Sequence, residues 1–219
     1  MSDPKTQLLE AAIDHVVFDG WSETTFKAAI EDSGVDPAIA RGVCPRGAVD
    51  LAVAFHKAGD EAMIAAIEGL DMSELRYSEK VARLVRLRFE VIPDKEAVRR
   101  AATLFSLPQY GAEGSKLIWG TADEIWNALG DTSDDLNWYS KRAILSGVYY
   151  STLLYWLGDD SLDGQATWDF LDRRIDDVML IEKVKGKVNS NPLLKPLMAG
   201  PNMLASMIKA PKSADLPGG

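Results

Sequence analysis

The sixteen residues Ala143–Gly158, AILSGVYYSTLLYWLG, contain no charged side chain. Large apolar residues such as Leu145, Tyr149 and Leu153 recur in this stretch at intervals of three and four positions, which predicts an α-helix. A helix without a charged face is expected to be buried nearly all round. The stretch is shorter than the roughly 18 to 20 apolar residues of a membrane span. We therefore expect it to be the central helix of a packed helical protein.

Helical spacing and turn residues continue on both sides of this stretch. Ser22, Ser78 and Asp94 are typical helix N-caps, and proline or glycine residues separate the apolar segments. No segment shows the strict alternation of a strand, so we predict an all-α fold class. The predicted helices cover about residues 8–17, 23–30, 36–42, 48–70, 78–92, 94–107, 111–129, 134–157 and 165–185.

The N-terminal segment has the spacing of a helix-turn-helix. However, Arg41 is the only basic residue in the short helix that would enter a DNA groove, and residues 1–60 contain ten acidic residues against five basic ones. Phosphate should therefore be repelled, and we expect no nucleic-acid binding. A transcriptional regulator with a small apolar ligand is retained as the alternative.

The composition offers little for catalysis or metal binding. The 219 residues have a formal net charge of -9, a single cysteine, Cys44, and two histidines, His15 and His56, that are isolated on predicted helices. There is no spacing typical of a zinc site or of a catalytic nucleophile. We expect no catalytic residue, cofactor or metal, and the acidic N-terminus predicts no export signal and a cytoplasmic location.

Two adjacent aromatic residues begin the central helix. Trp138 and Tyr139 are separated by about 100° around a helix, so both cannot face the same core line. At least one is expected near the surface, where tryptophan and tyrosine are favoured for protein contacts. Packing against the helix that contains Trp126 is an equally simple explanation.

The C-terminal segment combines cations with apolar residues. Residues 183–219 contain six lysines and one acidic residue, and Leu204, Met207 and Ile208 share one face of a short predicted helix after Pro201. Such a segment is typical of docking on anionic lipid. Packing on a second subunit or on the core are the other possibilities.

A set of motifs stands in order between about residues 7 and 185. They are Gly20-Trp21-Ser22, Cys44-Pro45-Arg46-Gly47, Gly120-Thr121-Ala122-Asp123-Glu124-Ile125-Trp126, Asp135-Leu136-Asn137-Trp138-Tyr139-Ser140-Lys141-Arg142, Val148-Tyr149-Tyr150-Ser151-Thr152 and Thr167-Trp168-Asp169-Phe170-Leu171-Asp172-Arg173-Arg174. Together these motifs resemble the Coq-nine family of ubiquinone-biosynthesis accessory proteins. Cys44 departs from the pattern, since relatives commonly have an aromatic residue before the Pro-Arg-Gly turn.

The resemblance implies a TetR-like helical bundle, a homodimer, no catalysis, and a hydrophobic pocket for isoprenoid lipid. It also implies that quinone intermediates are presented to a demethoxyubiquinone hydroxylase, which contacts the Asn137-Trp138-Tyr139 surface. The C-terminal amphipathic helix would reach the membrane, with peripheral association at the inner membrane. Periodicity alone favours a filled core over such a pocket, so a helical scaffold without a ligand is a second alternative.

These expectations divide the chain into three functional segments. Residues 1–47 are the helix-turn-helix-like segment, residues 48–188 the lipid-binding and dimerisation domain, and residues 189–219 the linker and membrane-docking tail. The residues expected to line the lipid pocket are Tyr149, Leu153 and Trp156; those expected to contact the partner are Trp138 and Tyr139; and those expected to enter the membrane are Leu204, Met207 and Ile208.

Overall fold

The computed structural model describes residues 3–190, with side chains through residue 180. This range contains nine α-helices, one 3-10 turn and no strand, so the predicted all-α fold class is confirmed. The helices are α1 (Pro4–Asp19), α2 (Glu23–Ser33), α3 (Pro37–Val43), α4 (Ala48–Ile67), α5 (Tyr77–Glu90), α6 (Lys95–Phe105), α7 (Gly111–Ala128), α8 (Leu136–Gly158) and α9 (Gln165–Ser190), with the 3-10 turn at Leu162–Gly164.

The helix-turn-helix-like beginning of the chain is set by its capping residues. The Ser22 hydroxyl accepts a hydrogen bond from the backbone N–H of Thr25 at 3.3 Å, and α2 ends at Gly34, whose φ of 67° suits glycine. The Asp36 carboxylate then accepts the backbone N–H of Ala38 at 2.8 Å and begins α3. These are the positions that the sequence predicted.

Two other predicted helix starts were wrong by one or two residues. α5 begins one residue before Ser78, and the carboxylate of Glu79 accepts the backbone N–H of Arg76 at 2.8 Å. α8 begins at Leu136, with Asp135 as its cap. Several polar side chains adjoin each start, and sequence spacing alone does not select the one that caps.

The helices cluster into two compact units. The first comprises the described residues up to Leu70 together with Leu87–Ile118, and the second comprises Asp71–Arg86 together with the described residues from Trp119 onward. Two of the three divisions fall within α5 and α7, and the third lies between α4 and α5. The three functional segments predicted from the sequence are a different division and stay a prediction.

The core of the first unit joins α1, α2, α4 and α6. Leu8, Val16 and Phe26 are completely buried in it. The indole N–H of Trp21 donates to the backbone carbonyl of Ala97 at 3.1 Å, which satisfies the one polar atom of that buried ring. Each of these large apolar side chains contributes roughly 1.5–3 kcal/mol by leaving water.

The only basic side chain of α3 is engaged within this unit. Arg41 forms an ion pair with Glu23, and its guanidinium lies 4.5 Å from the centre of the Phe26 ring. Because the Arg41 guanidinium already has an acidic partner in the same chain, this arrangement adds to the charge argument against phosphate contact. The absence of nucleic-acid binding stays a prediction.

The first unit also contains a buried polar cluster around His56. Nε of Arg88 donates to Oδ1 of Asp60 at 2.7 Å, and Nη2 of Arg88 donates to the backbone carbonyl of His56 at 2.9 Å. Nε2 of His56 lies 3.6 Å from Oδ2 of Asp60. Burial lowers the pKa of His56 to about 4, a larger effect than the opposing attraction of Asp60.

Acidification from about pH 7.5 to about pH 5 is expected to lower the free energy of unfolding by about 2 kcal/mol through His56. The unfolded chain binds a proton near pH 6.5, whereas folded His56 stays neutral to about pH 4. This contribution to stability is therefore complete above pH 6.5 and is lost as the pH falls toward 4. Urea unfolding at both pH values measures it. His56→Gln should reduce this pH dependence, and a variant that keeps the wild-type dependence would contradict the assignment.

In the second unit, α8 is not buried nearly all round as its sequence predicted. Leu145, Tyr149 and Leu153 are only 2%, 1% and 6% exposed, but Tyr150 and Leu154 are 44% and 50% exposed. The uncharged stretch therefore covers an inner face and an outer face. An uncharged stretch indicates that the surface of a helix is apolar. It does not indicate that other residues of the same chain bury that whole surface.

Candidate ligand cavity and partner surface

The junction of α7 and α8 is built around Arg142, whose side chain is 1% exposed. Its Nε donates to Oδ1 of Asp123, its Nη1 to Oδ2 of Asp131 at 3.1 Å, and its Nη2 to Oδ1 of Asn127 at 3.2 Å. A buried guanidinium requires such partners because its desolvation is costly. Arg142 thereby fixes the beginning of α8 against α7.

Asp131 connects this arginine to a second cation. Its side chain is 2% exposed, and it accepts hydrogen bonds from Nζ of Lys141 at 2.6 Å and from Oγ of Ser133 at 2.8 Å. Burial alone would raise the pKa of Asp131, but the hydrogen bonds from Lys141, Ser133 and Arg142 outweigh it and lower the pKa to about 2. Asp131 is therefore ionised at neutral pH.

Three aromatic residues beside Arg142, namely Trp119, Trp138 and Tyr139, form what we call the aromatic patch. The ring centres of Trp119 and Trp138 are 6.0 Å apart, and those of Trp138 and Tyr139 are 4.8 Å apart in an edge-to-face arrangement. All three side chains are half-buried. Both predicted partner residues thus lie near the surface and in contact with each other.

Trp119 and Arg142 were not predicted as members of this surface. Trp119 lies on the same face of α7 as Asp123 and Asn127, at successive intervals of four residues. Both of those residues bond Arg142. The sequence shows that these three residues share one face of α7. It does not show which residues of α8 that face contacts.

A small apolar cavity opens between α5, α7, α8 and α9 in the second unit. Its volume is about 70 Å³, less than half of the roughly 150 Å³ of an engineered cavity that binds benzene. A long isoprenoid therefore does not fit unless the walls move. The residues that line the cavity are Tyr77, Ser78, Val81, Trp126, Ile144, Leu145, Val148, Ile175, Val178 and Met179.

One wall residue of the cavity has an unused hydrogen-bond donor. Trp126 is 9% exposed, and its indole N–H has no acceptor among the described residues. The ring of Tyr77 lies 6.0 Å from that of Trp126, and Nζ of Lys141 lies 5.4 Å from the Trp126 ring centre. A buried donor without an acceptor costs about 1–3 kcal/mol. The surface that lines the cavity is apolar throughout, so Trp126 contributes carbon atoms to the wall and its N–H does not face the cavity.

The residues predicted to line a lipid pocket lie elsewhere on α8. Tyr149 and Leu153 are buried, Trp156 is half-buried, and none of the three is among the residues that line this cavity. The cavity instead uses Ile144 and Val148 of the same helix. Lipid contact by the three predicted residues stays a prediction.

The residues predicted to contact the membrane, Leu204, Met207 and Ile208, lie outside the described part of the chain. None of the helices between residues 3 and 190 combines the length and the apolar character needed to cross a membrane. Among the side chains described, no cluster of three or more His, Cys, Asp or Glu residues could hold a metal ion.

The helical arrangement is that of a TetR-like protein. It is similar to the crystal structure of the TetR transcriptional regulator from Nitrosomonas europaea, with a TM-score of 0.64 over 80% of this chain and 97% of that chain. The two sequences are 16% identical, so this likeness concerns the fold alone. The predicted TetR-like fold is confirmed.

Sequence comparison then identifies the relatives of the chain. Residues 111–182 match the COQ9 family model. The probable ubiquinone biosynthesis protein coq9, mitochondrial, of Dictyostelium discoideum is 33% identical over 193 residues, which are 84% of this chain and 62% of that protein. The mitochondrial ubiquinone biosynthesis protein COQ9 of Rattus norvegicus is 31% identical over 84% of this chain and 61% of its own length. The chain thus spans about three fifths of these relatives. The predicted resemblance to the Coq-nine family is confirmed, and the chain is a relative of the COQ9 proteins.

Proposed function

We propose that this chain is a noncatalytic accessory protein of ubiquinone biosynthesis that binds an isoprenoid quinone intermediate and presents it to a hydroxylase. The observation that carries the proposal is the match of residues 111–182 to the COQ9 family model, because that segment contains the aromatic patch and most of the cavity wall. The names of the similar COQ9 proteins support a role in the same pathway.

The cavity of the second unit is the proposed entry for the ligand. Burial of an isoprenoid is favourable by roughly 0.8 kcal/mol for each CH₂ group, so even a partial fit stabilises the complex. Tyr77 and Met179 are 49% and 36% exposed, and movement of these two side chains would enlarge the cavity.

The aromatic patch is the proposed contact for a demethoxyubiquinone hydroxylase or a related hydroxylase. Its half-buried rings are held by the chain itself and present apolar edges, as residues at the centres of protein interfaces do. Noncatalytic function is part of this proposal, which assigns the chemistry to the partner.

The outer face of α8 is the proposed homodimer contact. Tyr150 and Leu154 are among the exposed large side chains of the second unit, and a Cβ added at Gly147 would meet no atom within 4 Å. A second copy would cover this uncharged face and remove it from water. The tail, with Leu204, Met207 and Ile208, is proposed to dock on the inner membrane as a peripheral attachment.

Native mass spectrometry of the purified full chain, followed by organic extraction, tests the ligand and the dimer together. We expect a dimer mass that includes an isoprenoid quinone or its precursor. An empty dimer would favour the helical scaffold instead, and a monomer would contradict the α8 contact. A separate measurement addresses the alternative function. Salt-dependent binding of the protein to the DNA upstream of its own gene would favour a transcriptional regulator.

Val178→Phe sharpens this test of the cavity. The phenyl ring would occupy the space that Val178 lines, so we expect the extracted lipid to fall severalfold while the circular dichroism stays unchanged. Val53→Phe, at a half-buried valine of α4 in the first unit, is the matched control and should keep its lipid. Equal lipid content in both variants would exclude this cavity as the binding site.

A further inference from the structure

Arg142 contacts two acidic residues, Asp123 and Asp131, and the aromatic patch at the same time. Its guanidinium carbon lies 4.0 Å from the ring centre of Trp138, and its Nη1 donates to the backbone carbonyl of Trp138 at 3.3 Å. The same group also donates to Asp131 through Nη1 and to Asp123 through Nε. The position of the Trp138 ring is thus tied to a buried side chain that donates four hydrogen bonds.

We propose that Arg142 is a positioning residue that holds Trp138, and through it Tyr139, in the orientation that the partner protein binds. This inference rests on the proposed function, because it concerns the hydroxylase contact at the aromatic patch. A free tryptophan on a surface must lose rotamer freedom when a partner binds, which weakens the complex. A ring already fixed by a stacked guanidinium avoids most of that loss.

The chemistry of the site requires arginine in particular. The planar guanidinium bonds Asp123, Asp131 and Asn127 with its edges while its face covers the Trp138 ring. Lysine would preserve the positive charge but has neither the flat face nor the fixed fork of donors. Arg142→Lys therefore keeps a positive charge beside Asp123 and Asp131 but removes the group that positions the Trp138 ring.

Affinity for the purified hydroxylase tests the inference in a double-mutant cycle. Arg142→Lys is expected to weaken binding about tenfold in the wild-type background and by less than about twofold in a Trp138→Ala background. Asn127→Ala, which removes one acceptor of the guanidinium at an exposed position, should give a smaller loss that also depends on Trp138. The same loss in both backgrounds, or no loss in the wild-type background, would overturn the positioning role.

A second measurement does not depend on the partner. The indole ¹⁵N–¹H resonance of Trp138, assigned through Trp138→Phe, should shift and broaden in Arg142→Lys, while that of Trp21 in the first unit stays unchanged. An unchanged Trp138 resonance would overturn the inference. The two proposals can fail separately. If the Trp138 resonance changes as expected in Arg142→Lys but the wild-type protein does not bind the hydroxylase, Arg142 orders the ring and the proposed function is wrong.

Discussion

Replacement of Trp138 by alanine is expected to weaken hydroxylase binding by at least about 30-fold. The ring contacts both other members of the aromatic patch, at 6.0 Å from Trp119 and 4.8 Å from Tyr139 between ring centres. Its removal therefore takes away the central apolar contact and loosens the neighbouring rings. Isothermal titration calorimetry with the hydroxylase of the same organism measures the loss directly.

The control for this prediction is an aromatic residue outside the patch. Phe18 is 81% exposed on α1 in the first unit, so Phe18→Ala removes a comparable apolar ring from the surface. We expect its affinity for the hydroxylase to equal that of wild type. A Trp138→Ala protein that keeps wild-type affinity and wild-type Tm would show that the patch is not the interface.

Local sequence signals were sufficient for the helices because the information lies within a few residues of each boundary. Ser22, Gly34 and Asp36 perform the capping roles that their types predict. The side chains that border each helix thus determine the helix-turn-helix-like segment. Errors of one or two residues arose where adjacent polar residues compete for the same cap, as at Ser78. The start of α1 was wrong by four residues, because Asp3 caps the helix and it begins at Pro4.

The candidate site was harder to predict because its parts come from distant segments. The cavity joins Tyr77 of α5 to Ile175 of α9, nearly one hundred positions apart, and helical spacing cannot say which faces of two helices meet. Spacing placed Tyr149 and Leu153 correctly on the buried side of α8, but the cavity lies beside Ile144 and Val148. A rotation of about 100° separates adjacent positions, so a difference of one residue changes the neighbour.

The ion-pair network of Arg142 could not be predicted from the sequence for a related reason. Asp123 and Asp131 precede Arg142 by 19 and 11 residues, and each could equally have capped a helix or faced water. What distinguishes them is burial, which arises only when α7 and α8 pack together. Charged side chains are mostly exposed in proteins, whereas those of Arg142 and Asp131 are 1% and 2% exposed.

Replacement of Asp131 by alanine is expected to lower the free energy of unfolding by about 3 kcal/mol, because it leaves two cations without their shared buried partner. Asp131 accepts hydrogen bonds from both Lys141 and Arg142, and its side chain is 2% exposed. Asp134→Ala, at an exposed position of the same loop, is the matched control and should change stability by less than about 0.5 kcal/mol. Urea unfolding at pH 7 compares the two variants.

Acid unfolding gives an independent readout of the same group. The pKa of Asp131 is about 4 in the unfolded chain and about 2 in the folded protein, so its contribution is complete above pH 4 and is lost as the pH falls from about 4 to about 2. Wild type and Asp134→Ala should lose this stability over that range, whereas Asp131→Ala lacks it at every pH and should show a shallower acid transition. Parallel acid transitions in the two variants would mean that Asp131 is not held ionised by the network, and the anchoring of Arg142 would then rest on Asp123.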